Sequence, residues 1–159
     1  MTTASHTKIA GCMATIRVMA VLLVGFAAVS ALLAGVSFAS LGSLDPGQTV
    51  EAEPGLELGL RSWTLALGLF AGAQAVLYCI LAFLGFRGAA DACKVGSFGA
   101  LTIIVFLVLI ISQFLFSAFG LGGELGATGW ITNAASFVLF ISALSAYYVK
   151  GYLRGQGRQ

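Results

Sequence analysis

The apolar positions of this chain gather into four long runs, separated by stretches where charge, glycine and proline collect. Each run holds roughly the 20 residues that cross a ~30 Å hydrocarbon core at 1.5 Å per residue. The pattern predicts membrane helices over about 18–39, 63–86, 97–119 and 130–149. Ser37 and Ala39 would suit a signal-peptidase site. The run Val18–Ala39 nevertheless outlasts the roughly 7–15 apolar residues of a signal peptide, so it is read as the first membrane helix.

The second run carries the most structured pattern. At about 100° per residue, Gly68, Gly72, Ala75 and Cys79 share one side. Trp63, Leu67, Gln74, Tyr78 and Leu81 share a second, and the aliphatic Leu69, Val76, Ile80 and Leu84 a third. The glycine side is flat enough for a neighbouring backbone to approach closely. The expected mate is the first helix, whose small residues recur as Ala27, Ala31, Gly35 and Ala39. In the third run, Thr102, Gln113 and Ser117 fall on one face.

Between the first two runs, residues 40–60 form the longest polar segment, with both prolines and an Asp45-Pro46-Gly47 turn signal. Two weak internal alignments suggest a duplicated hairpin with parallel halves. One sets Trp63, Phe70 and Arg87 against Trp130, Phe137 and Arg154; the other sets Phe26 and Ser37 against Phe106 and Ser117.

Composition turns four apolar runs into a fold class. Apolar residues make up 59% of the 159 and charged residues only 9%, against about 25% charged in a soluble domain. A chain this short exposes too much surface for a larger core to absorb the difference. The expectation is an all-α integral membrane protein: a four-transmembrane-helix bundle in which residues 1–159 form a single domain. No basic stripe suggests a nucleic-acid partner.

Charge then sets the orientation. Lys8, Arg17, Arg87, Lys94, Lys150, Arg154 and Arg158 fall in the two tails and the connection after the second run. Asp45, Glu51, Glu53, Glu57 and Glu124 fall in the other two connections, with Arg61. The positive-inside rule places both termini in the cytoplasm and the acidic loop 40–60 outside a plasma membrane. Trp63 and Trp130 would then anchor the outer interface, and Tyr147, Tyr148 and Tyr152 the inner one.

Candidate chemistry is sparse. No charged residue falls inside a run, which argues against a proton relay or voltage sensor. Cys12, Cys79 and Cys93 form no C-x-x-C pair, and His6 is the only histidine, so neither a metal site nor a cofactor is expected. The spacing of the loop acids matches no EF-hand, and no base stands ready to activate a nucleophile.

Three amides remain: Gln74 near mid-membrane, Gln113 nearer the outer end and Asn133 near the surface. They read either as interhelical hydrogen bonds or as a polar path open to the outside. The expected protein is non-enzymatic and works in the lipid bilayer through helix–helix association, as a homo-oligomer or a subunit of a larger membrane complex. The alternative is a small-solute channel or carrier, formed by oligomerisation and lined by the amides.

Overall fold

The structure is a computed structural model that describes residues 3–53, 56–118 and 127–156. Four helices form most of it: α1 Thr3–Ser40, α2 Leu60–Ala90, α3 Val95–Ala118 and α4 Ala127–Gln156. All four are long and apolar enough to cross a membrane. Each packs on its neighbour in the chain, most extensively α1 on α2, and α4 closes back on α1. Neighbours run antiparallel: a Cβ built at Gly68, Gly72 and Gly85 would meet Ser37, Ala34 and Ala20 in turn.

The buried positions explain the bundle. On α1 they are Ile16, Ala20, Leu23, Ala27, Ser30 and Ala34. On the facing side of α2 they are Gly68, Ala71, Ala75, Tyr78, Ala82, Gly85 and Ala89. Both series step alternately by three and four residues, the spacing of helices that wind gently around each other. Val95, Phe98, Thr102, Val105 and Leu109 continue the rule on α3, and Ala135, Leu139, Ser142, Ala146 and Val149 on α4. Away from this core the surface is apolar, with Leu32, Phe114 and Tyr147 at least 70% exposed.

This winding corrects the expected faces. A straight helix drifts by about 20° per heptad relative to a wound pair. Gly68 and Cys79 share a side on a straight wheel, yet Gly68 is buried and Cys79 is exposed. Ala82, Gly85 and Ala89, absent from the expected face, take over the contact. The ladder on α1 fails for a simpler reason: steps of four advance about 40° each time, even on a straight helix. Ala27 is buried, but Ala31, Gly35 and Ala39 are exposed, and a Cβ on Gly35 would meet nothing within 4 Å.

The helices also outrun their apolar runs. α1 begins at Thr3 and α4 continues to Gln156, where the sequence suggested polar tails. Hydropathy marks only what suits lipid, whereas the backbone ladder continues wherever a face can pack. Cys12, Met13 and Leu153, beyond the expected spans, lie partly buried against the core.

The 40–60 segment is partly ordered. Asp45 C=O accepts the Gln48 N–H at 3.1 Å, closing the turn at Pro46-Gly47. An antiparallel pair follows, β1 Thr49–Glu53 with β2 Leu56–Gly59, which the loop reading did not anticipate.

The two repeat alignments fare differently. Gly68, Ala71 and Ala75 map onto Ala135, Val138 and Ser142, and all six are buried. By contrast, Leu23, Ala27 and Ser30 are buried while their counterparts Ile103, Leu107 and Ile110 are exposed. The α1–α3 alignment therefore places core positions on the outer surface. The side chains of Ser117 and Trp130 lie outside the described residues.

Candidate functional site

The candidate site comprises the polar side chains that the helices carry into the bundle. Thr102 and Ser142 are fully buried, but each is satisfied within its own helix. Thr102 Oγ1 donates to Phe98 C=O and Ser142 Oγ to Val138 C=O, both at 2.7 Å. These hydroxyls complete the core and leave little capacity for a ligand.

The three amides divide. Gln113 Nε2 donates to Asn133 Oδ1 at 3.2 Å, linking α3 to α4 across 20 residues of sequence. Its partners stand opposite because α3 and α4 are antiparallel, with Gly99 against Ala146 nearer the other end. Gln74 is separate. Its Nε2 is buried and has no hydrogen-bond partner among the described residues. It lies beside a cavity of about 130 Å³ bounded by Phe70, Ala73, Leu77 and Tyr78 of α2 and Val105, Val108 and Leu109 of α3.

The origin of that cavity is local. At the Asp91 end, α2 and α3 are close: a Cβ at Gly85 would stand 3.2 Å from the Phe98 ring, and one at Gly88 3.5 Å from Val95. Further along, Val105, Val108 and Leu109 face Phe70, Gln74 and Leu77, and bulky side chains on both helices leave a gap. Tyr78, with its ring 6.2 Å from Phe26 of α1, forms part of the floor.

The helix-packing candidates also divide. Gly68 is tight, with Ser37 Cβ 3.1 Å and the Phe38 ring 3.3 Å from a Cβ built on it; Gly72 has 3.9 Å to Ala34. The tightest positions, Gly85 against Ala20 and Gly99 against Ala146, both at 2.9 Å, were missed. For Gly85, the neighbours Ala82 and Ala89, three and four residues away on α2, carried the signal.

Charge chemistry is confined to the ends. Asp91 makes the sharp break between α2 and α3: its Oδ1 accepts the Cys93 N–H at 3.0 Å, and its Oδ2 lies 3.1 Å from Lys94 Nζ. The Lys94 hydrogen bond, then that of Cys93, hold its carboxyl below the usual range. Arg87 sits 5.7 Å from the Phe83 ring centre. Among the described residues, no three His, Cys, Asp or Glu side chains gather as metal ligands, and the cysteines are unpaired. The Glu51 and Glu53 side chains and Glu124 lie outside what the structure describes.

This arrangement can hold helices together. Comparison of the chain with protein-family models, with curated proteins and with solved structures finds no match.

Proposed function

We propose that the protein is a non-enzymatic, multi-pass plasma-membrane protein that acts through helix–helix association, as a homo-oligomer or a subunit of a larger complex. The exposed small residues of α1 carry this reading. Ala28, Ala31, Gly35 and Ala39 are all exposed and fall within about 80° of one another on the helix. They lie outside the contact with α2, among bulky exposed residues such as Leu32 and Val36. In lipid, a small-residue groove gains dispersion contacts when another helix enters it.

Both termini are assigned to the cytoplasm. The antiparallel order puts Lys8, Arg17, Arg87, Lys94, Lys150 and Arg154 at one end, and Asp45, Glu57 and Arg61 at the other, which supports that assignment. An impermeant thiol reagent should label Cys93 from the cytoplasmic side only; labelling from outside in intact cells reverses the orientation.

The test of association is stoichiometry in nanodiscs. Gly35→Ile should turn an oligomer into a well-folded monomer, since no described residue lies within 4 Å of a Cβ built there. An unchanged stoichiometry removes this face as the interface. The small-solute channel is the second reading, favoured by the unpartnered Gln74 amide. Solute flux in liposomes that Gln74→Leu abolishes, with the fold intact, would replace the association reading.

A further inference from the structure

We propose that the outer face of α4, at its Lys150 end, binds an anionic phospholipid: Lys150 and Arg154 take the phosphate, and an acyl chain lies along Tyr147, Leu144 and Phe140. The proposal rests on four membrane-crossing helices and is independent of the association face on α1. At about 100° per residue, these five residues fall within about 120° of one another. All five are exposed, Tyr147 by 75%. Along this face the chemistry changes once, from apolar up to Tyr147 to cationic from Lys150 onwards. A phospholipid read from tail to phosphate changes in the same order. A soluble anion has no use for the apolar part, and hydrocarbon has none for the cationic part.

Gly96 of α3 sets the geometry. A Cβ built there would stand 3.9 Å from both Cε and Nζ of Lys150. With no side chain in the way, the lysine stem lies across the α3–α4 seam and its ammonium stays beside the start of α3. Arg154 follows one turn later on α4. A Cβ at Gly151 or Gly155 would meet nothing within 4 Å, which leaves open space beside both cations for a headgroup. No carboxylate competes for them. Residues 1–17 and 149–159 contain no acid, and Asp91, the acid of the α2–α3 turn, is engaged by Lys94. A phosphodiester supplies the anion that the chain does not. At a membrane surface each nearby Lys or Arg contributes roughly a fivefold preference for anionic lipid.

Arg17 and Arg87 are controls for charge alone. They are level with Lys150, by the pairings of Gly85 with Ala20, Gly88 with Val95 and Gly96 with Lys150. Arg17 has no second cation within a turn of it on α1. Arg87 lies 5.7 Å from the Phe83 ring centre, with Asp91 one turn further on.

Lysine methyl NMR tests the site directly, because Lys8, Lys94 and Lys150 are the only lysines of the chain. Reductive carbon-13 methylation keeps their charge. The full chain is placed in phosphatidylcholine nanodiscs with a rising share of phosphatidylglycerol in both leaflets, so the outcome does not depend on orientation. The Lys150 signal should shift saturably and ahead of Lys8 and Lys94. Arg154→Gln should raise the half-saturating share roughly fivefold, and Arg17→Gln should leave it nearly unchanged. Glycerophosphoglycerol, the same headgroup without tails, should give no saturable shift at the same molar excess. Three lysines shifting in step would mean diffuse surface charge and overturn the proposal. So would an Arg17→Gln effect equal to that of Arg154→Gln, or a saturable shift with glycerophosphoglycerol, which would make the ligand a free phosphodiester. A chain that fails to enter nanodiscs overturns the membrane reading and the proposal with it.

Discussion

α2 faces two neighbours, and the two contacts are built on opposite terms. Towards α1 it presents Gly68, Ala71, Ala75, Ala82, Gly85 and Ala89, and α1 replies with Ala20, Ala27 and Ala34. Towards α3 it presents Phe70, Gln74 and Leu77, and α3 replies with Val105, Val108 and Leu109. The first contact lets backbones approach until a single methyl has no room. The second holds the helices apart and leaves a cavity beside an unsatisfied amide. Hydrophobicity does not distinguish them, since both are apolar. Residue size does, because in lipid a helix contact gains mainly from packing.

The sharpest way to break this contrast is a methyl group. Gly85→Ala places Cβ 2.9 Å from Ala20 Cβ, and Ala20 has no rotamer by which to move away. The expected loss is about 1–3 kcal/mol of stability, as for overpacked cores. Gly72→Ala, with 3.9 Å to its neighbour, should be neutral or gain up to about 1 kcal/mol from helix propensity. Chemical denaturation in mixed micelles compares the two. Equal effects would mean that the α1–α2 contact is looser than described.

The cavity side gives a smaller effect of opposite sign. Were Gln74 a hydrogen-bonding bridge, one of the two readings its sequence position allows, Gln74→Leu would lower stability. With Nε2 buried and unpartnered, the substitution should instead raise the stability of the protein by about 1 kcal/mol, because a buried unsatisfied donor is removed. A measured loss would place a partner on that amide and join the cleft to the ordinary packing of the bundle.

The smallest effect is expected at the turn that ties α2 to α3. The Asp91 carboxyl is held below its ordinary value of 3.8 by Lys94 and Cys93. Its contribution is present in full above that value and fades as pH falls through the lowered folded one. Asp91→Asn should flatten this acid limb slightly and leave neutral pH nearly unchanged. NMR titration of the Asp91 side chain measures the shift, and an unperturbed midpoint would show that the turn gains nothing from the pair.

The sequence by itself determined the number of long apolar helices. Membrane crossing depends on length and hydropathy, and both are summed along a single segment. It also marked the Pro46-Gly47 turn, the exposed Leu69, Val76 and Ile80, and the importance of Gly68. Only the tertiary structure decided which small residues meet. Contacts between wound helices follow a repeat near 3.5 residues, so a straight wheel loses register within a few turns. Cys79 fell off the contact with α1 that way, while Gly85 entered it; Ala31 and Gly35 left it because steps of four advance about 40° even on a straight helix. The fates of the amides were equally out of reach. Gln113 found Asn133 because α3 and α4 are antiparallel at one particular offset. Gln74 was left alone because the bulk of α3 stood opposite it. Satisfaction of a polar side chain is a property of its neighbours, and the neighbours are set by packing.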